Sequence, residues 1–314
     1  MLPLAGSLTL AGSPSLSAGL LAMFPAHPPA IAVRIATIAL VLTFIDDGLR
    51  ELKDVGAQCG YLEGRSNNIV MPHWAALLYV LASLTIQLGA GFYVIVYAVL
   101  TPGGRLLLPH NNDSGLLRHI RTALWLLAVF VLSSVIIYGL GQPASQHAQG
   151  RLVFILRNLG ILGGVLLLLG VGTASSRLHA LLLLLARVML AGHGLELAPV
   201  NSIALLSVVD VVVIPLAFAL LIGLHTRAVA LVLAVLLACF DMSINHFWSG
   251  FRYNDNIRYY FFEDLSIIGG LLLLATAGGG ELSLDTCRSK ELPLGVLSRR
   301  GDAPETQSLL ADTE

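Results

Sequence analysis

The sequence predicts an all-α polytopic membrane protein, a helical bundle of about seven to eight transmembrane helices. Three observations predict it. Of 314 residues, 56% are hydrophobic and only 12% are charged, with a mean hydropathy of +0.82; soluble domains carry about twice that charged fraction. Apolar runs such as 204–224 and 228–240 are too long for one soluble core to hide. The runs are also continuous rather than alternating, which selects helices over a transmembrane barrel.

Taken in order, residues 1–29 are rich in Leu, Ala, Ser and Pro and hold no Lys or Arg. A secretory signal needs a basic region ahead of its apolar core, so this stretch is expected to be a disordered, uncharged N-terminal arm. Residues 30–277 form the expected bundle. Its eight apolar segments are 31–45, 74–100, 122–140, 152–172, 178–193, 202–224, 228–245 and 259–277, against roughly 20 residues needed to span. The first and fifth are short, and each is either spanning or half-buried. The first segment ends on Asp46 and Asp47, with Arg50 beyond, and the fourth carries Arg157 and Asn158 in its first third. The sixth holds Asp210 and Pro215, and the seventh ends with Asp241, Asn245 and His246. The eighth opens with an aromatic girdle after Arg258, then places Glu263 and Asp264 ahead of an apolar run to Ala277. The polar, proline-containing remainder, 278–314, is expected to be a disordered cytosolic tail.

Basic residues outside the segments vote on orientation. With eight spans and a cytosolic N-terminus, Arg105, Arg118, Arg121, Arg177, Arg227, Arg288, Lys290, Arg299 and Arg300 fall in the cytosol, nine in all. Arg50, Lys53, Arg65, Arg151, Arg252 and Arg258, six, fall on the other side. Both termini are therefore expected to be cytosolic. In that topology Asp46, Asp47, Arg157, Asn158, Asp241, Asn245, His246, Glu263 and Asp264 converge at one depth, on the non-cytosolic side. An acid inside the membrane is costly unless it faces protein or water, and is by default a functional-site hypothesis with its partner named. Arg157 is the expected counter-ion of Asp46 or Asp47. A structural reading stays open: charge pairs between helices fix register, and Asp46, Asp47 and Arg50 can be a solvated helix end.

Other motifs carry less. His193 and Glu196 have metal-like spacing but no third ligand nearby. Asp210 is within reach of Arg187 on the preceding helix, as a structural pair or a proton relay. Gly163-Gly164 and Gly269-Gly270 read as packing devices. Cys59, Cys239 and Cys287 make no ligand-spaced set, and Cys59 reads as an inert loop thiol. No phosphate loop, nucleophile elbow or haem ligand set is visible, so no cofactor and no catalysis are expected. A net charge of −1 argues against nucleic acid.

Leu42-Thr-Phe-Ile-Asp-Asp-Gly-Leu-Arg50, Cys59-Gly-Tyr61, Arg157-Asn-Leu-Gly-Ile-Leu-Gly-Gly-Val-Leu-Leu-Leu-Leu169 and Ile267-Ile-Gly-Gly-Leu-Leu-Leu273 together resemble the surfeit locus protein 4 family, from about residue 31 to 285. The resemblance implies a multispanning cargo receptor that captures soluble secretory proteins in the lumen of the endoplasmic reticulum for COPII export to the Golgi. It implies short motifs at the cargo N-terminus as ligands; the polar cluster suits such ligands physically, which makes Asp46, Asp47, Arg50, Arg157, Asn158, Asp241, Glu263 and Asp264 the expected cargo-binding residues. An ammonium is held far better by a carboxylate in a low-dielectric cleft than in open water, which makes Asp46, Asp47 and Glu263 the expected anchors.

Three departures qualify the resemblance. The family reads Lys-Tyr-Asp-Phe-Phe-Gln where this chain has Arg258-Tyr-Tyr-Phe-Phe-Glu263, so Glu263 and Asp264 do not carry over from it. Charge near the N-terminus is missing. A dilysine retrieval signal is replaced by Ala-Asp-Thr-Glu314, while Glu305, Leu309 and Leu310 resemble an acidic dileucine sorting signal for adaptor proteins. Residence in the endoplasmic reticulum and Golgi membrane is expected, with endosomal cycling as the alternative. The competing functions are a proton-coupled small-solute transporter of an endosomal or lysosome-like membrane and, more remotely, a subunit of a membrane oxidoreductase.

Overall fold

The computed structural model describes residues 30–64, 71–101, 114–140, 148–171, 176–194, 203–248 and 255–291. Each of the eight apolar segments coincides with a helix, and no strand occurs among the described residues. Helix α1 is Ala30–Lys53, followed by the short α2, Val55–Glu63. Helix α3, His73–Leu100, contains one wide π turn, Thr85–Ala90. Helix α4, Ser114–Ser134, runs on into a second, Val135–Leu140. Then come α5 (Ala148–Val171), α6 (Ser176–Gly194), α7 (Ile203–Ile222), α8 (Thr226–Ile244), α9 (Asp255–Ala277) and α10 (Leu284–Glu291).

Five helices among the described residues are long and apolar enough to cross a membrane: α3, α4, α5, α8 and α9. Helix α1 has the length, with 24 residues, but carries Arg34, Asp46, Asp47, Arg50, Glu51 and Lys53. The described apolar stretch of α7 is Val211–Ile222.

Helix α9 is the centre of the bundle, packed on α1, α5 and α8. Its position depends on glycines. A Cβ at Gly269 would stand 2.5 Å from the Leu40 nitrogen and 2.6 Å from the Ala36 oxygen of α1. A Cβ at Gly270 would stand 3.2 Å from the Cα of Gly164 on α5. On α5, Gly163 does the same against the Ala186 oxygen of α6, at 2.9 Å. The glycine pairs act as the packing devices the sequence implies, letting backbones approach where any side chain would hold them apart. Around them Leu40, Val165, Leu167, Leu190, Ile267 and Leu274 form one buried core.

Two expectations meet corrections outside the core. Cys59 is not a loop thiol: it lies in α2, capped at its start by Asp54, and is buried with Leu62 against Ala76, Val80 and Leu84 of α3. Composition predicts disorder from Gly278 onward, yet the chain stays folded to Glu291. Buried Arg187 of α6 donates to the carbonyls of Gly279 (2.8 Å) and Leu282 (2.7 Å). Asp285 accepts from the backbone N–H of His225 (2.7 Å) and Thr226 (2.9 Å), capping the start of α8 from α10. His225 is left-handed there (φ 48°) and offers no side-chain cap of its own, so the tail supplies it. The expected partner of Arg187, Asp210, has a side chain outside the described residues, as do His193 and Glu196. Glu305, Leu309 and Leu310 lie outside them too.

Candidate functional site

The acids of α1 stand near its C-terminal end, those of α9 in its first half, Asp241 at the end of α8, and Arg157 in the first half of α5. Because α1, α5 and α8 all pack on α9, these positions meet at one end of the bundle. Glu263, Asp264 and Asp241 are each about 2% exposed or less, and Asp46 is 4% exposed.

The pairing differs from the one expected. Arg157 reaches Glu263 at 3.4 Å and Asp264 at 3.9 Å, whereas Asp46 is held by Arg258, the basic residue at the start of α9. The physical reason is register: α1 and α9 cross at Gly269, which sets the beginning of α9 against the end of α1 and turns Glu263 and Asp264 towards α5. Asp47 pairs with Arg50 at 3.7 Å and keeps 27% of its side chain exposed. It also stands within electrostatic reach of Asp46, Glu263 and Glu51.

Asn245 joins the remaining acids. Its amide donates to Asp241 Oδ1 at 2.7 Å and to Asp264 Oδ2 at 3.1 Å. Tyr259, one turn before Glu263, faces that carboxylate. Aromatic rings carry the arginines: Arg50 lies 4.8 Å over Tyr259, Arg157 4.6 Å over Tyr260, and Arg258 5.8 Å over Phe262. Each such contact over an aromatic face stabilises the cation by roughly 0.5–2 kcal/mol, depending on desolvation. Phe247, Trp248 and Phe261 pack edge-to-face at 5.2–5.5 Å beside them, forming a rim.

Of the eight residues expected at the site, seven come together. Asn158 is buried nearby, but its amide donates to the Phe154 carbonyl one turn back in its own helix. Arg258, Tyr259 and Tyr260 belong to the cluster and are not among the expected site residues, while Asn245, expected at the same depth, joins it through Asp241 and Asp264. The helical spacing of Arg258 and Tyr259 from Phe262 and Glu263 is a signal that could have found two of them.

Among the described residues, the acids of this cluster outnumber its guanidinium groups. Asp46, Asp47, Asp241, Glu263 and Asp264 are five carboxyl groups, set against Arg50, Arg157 and Arg258, three guanidinium groups. The second oxygen of Asp46, Oδ2, is buried without a hydrogen-bond partner. Carboxylate oxygens gathered in this way can accept hydrogen bonds from a cation that carries several donors. Among the described residues no cluster of His, Cys, Asp and Glu suits a metal ion.

Residues 116–291 match the family model described as the SURF4 family. The chain is 26% identical to the ER-derived vesicles protein ERV29 of Saccharomyces cerevisiae over 265 residues, 78% of this chain and 73% of the relative. It is 25% identical over 281 residues to a Surfeit locus protein 4 homolog of Drosophila melanogaster, covering 82% and 89%. A second protein of that name, from Schizosaccharomyces pombe, is 45% identical over 67 residues, 20% of this chain and 22% of the relative. No solved structure matches the chain significantly.

Proposed function

The chain belongs to the SURF4 family, and on that premise we propose that it is a multispanning receptor that captures soluble secretory proteins in the lumen of the endoplasmic reticulum for COPII export to the Golgi. It performs no catalysis. The termini face the cytosol, the acid cluster faces the lumen, and the tail meets coat or adaptor proteins. The names of the relatives support the pathway. The observation that carries the mechanism is the excess of two carboxyl groups, among the described residues, in a buried cluster at one end of the bundle.

A cargo N-terminus brings one ammonium and a few side chains. At about 4 Å the attraction between unit charges is roughly 4 kcal/mol at the effective dielectric of a protein site, against about 1 kcal/mol in water. Asp47 is the acid the ammonium meets first, since it is partly exposed and its own partner sits at 3.7 Å. Asp46 and Glu263 lie behind it. Arg258 and Arg157 hold those two in place, and the rim of Phe247, Trp248 and Phe261 covers the cargo's apolar side chains.

The test uses the full-length protein in nanodiscs, titrated with a fluorescent peptide carrying a free cargo N-terminus and with its N-acetylated twin. Acetylation, or Asp47→Asn in the receptor, is expected to weaken binding more than tenfold, the loss of one charge-assisted contact of about 1.5–3 kcal/mol. Equal affinity of the acetylated peptide would overturn the reading. Solute uptake driven by a pH gradient, with no peptide binding, would put the transporter in its place.

A further inference from the structure

We infer that Gln87, Glu51 and Ser83 form a second subsite beside the acid cluster, one that binds the first backbone amides of the captured peptide. The inference rests on the reading of the chain as a receptor for a peptide N-terminus. Gln87 lies in the π turn of α3 and is completely buried, yet neither its Oε1 nor its Nε2 has a hydrogen-bond partner of good geometry. Native interiors rarely leave both ends of a carboxamide without a partner. A π turn within a long helix is itself a frequent mark of a functional position.

Gly48 explains how Gln87 comes to be there. A Cβ on Gly48 would stand 2.8 Å from Leu88 and 3.3 Å from the Cβ of Gln87, so the bare glycine lets the π turn lie directly on α1. Gly48 follows Asp47, and the carboxamide therefore sits at the level between Asp47 and Glu51. The Glu51 carboxylate faces the Gln87 amide and is within electrostatic reach of Asp47. Ser83 Oγ donates to Glu51 Oε2 at 2.7 Å and holds that carboxylate in position. Beyond it, Tyr138 stacks on Tyr61 at 5.7 Å, with Tyr79 at 6.5 Å.

The chemistry selects the ligand. A carboxamide presents one acceptor and two donors in a plane, the complement of a peptide group with its own N–H and C=O. A bare cation would satisfy the carbonyl and leave the amino group idle. Spacing agrees: Asp47 to Glu51 is about one helical turn, roughly 6 Å, and an extended peptide advances about 3.3–3.6 Å per residue. With its ammonium at Asp47, the peptide brings its first and second peptide groups to Gln87 and Glu51. Reaching the amide requires the π turn to part from α1 at Gly48, where the two helices are in close contact.

The experiment combines receptor variants with backbone-modified peptides, in the full-length protein in nanodiscs. The probe is an apolar decapeptide with a free N-terminus, compared with forms N-methylated at the first or second peptide group and with an N-acetylated form. For the unaltered protein, one of the methylations is expected to weaken binding at least fivefold. Gln87→Met, which keeps volume but loses the amide, is expected to bind the plain peptide about tenfold more weakly and to be indifferent to methylation. Its melting temperature should match or exceed that of the unaltered protein. Gln87→Asn, which withdraws the amide by one methylene, gives the same readout should the Met variant fail to insert. Unchanged affinity in either variant, or a methylation penalty of the same size with and without Gln87, would refute the subsite. If acetylation also has no effect, or no peptide binds at all, the receptor reading falls with it.

Discussion

Replacing Arg157 by Gln removes the cation that α5 presents to Glu263 and Asp264. Both acids have side chains no more than 3% exposed, and Arg157 itself keeps 13%. Taking one partner from a buried ion pair costs about 3–5 kcal/mol, because the remaining charge is left uncompensated. The contacts are long for such a pair, 3.4 and 3.9 Å, which puts the expected cost at the low end, about 3 kcal/mol. At roughly 2–4 °C per kcal/mol for a domain of 150–250 residues, melting should fall by about 6–12 °C. The assay is thermal unfolding of the detergent-purified protein, followed by intrinsic fluorescence. Arg157→Gln combined with Glu263→Gln should recover part of the loss, since the pair is then neutral; a coupling of about 1–3 kcal/mol is expected for residues in contact. A melting temperature unchanged by Arg157→Gln would show that α5 and α9 are held by their glycines alone. Strict additivity of the two substitutions would refute the ion pair itself.

Four further outcomes are expected. Gly269→Ala places a methyl group 2.5 Å from the backbone of Leu40, where overpacking costs about 1–3 kcal/mol; Gly89→Ala, with nothing within 4 Å, is the control and should not lower the melting temperature. Arg187→Gln releases the carbonyls of Gly279 and Leu282, so limited proteolysis should cut after residue 278 faster while peptide affinity stays the same; an unchanged digestion pattern would mean that Asp285 alone secures the segment. Protease added to sealed microsomes should remove a tag at Glu314, and a protected tag would invert the proposed orientation; imaged in intact cells, a reticular pattern unchanged by Leu309→Ala with Leu310→Ala would make the dileucine a coincidence.

Much of the architecture is legible in the chain alone. Continuous apolar runs can satisfy their backbone in a bilayer only as helices, so all eight segments are found and the class follows. Glycine pairs within such runs announce close helix contacts, and Gly163, Gly164, Gly269 and Gly270 make them. Acids inside apolar segments announce a site, since they persist there only with partners or water; Asp46, Asp47, Asp241, Glu263 and Asp264 are named on that ground and do cluster. Pairing is another matter. Whether Arg157 meets Asp46 or Glu263 depends on which face α5 turns to α9, and an arginine side chain is long enough to reach any of them. Only the register set by Gly269 against Leu40 assigns Arg258 to Asp46 and leaves Arg157 to α9. Order beyond Gly278 is equally hidden, because a polar stretch with no apolar period is held here by two residues distant in sequence, Arg187 and the start of α8 at His225. Local chemistry chose the elements and flagged their costly residues; which costs cancel which is a property of helix packing, where partners lie a hundred residues apart.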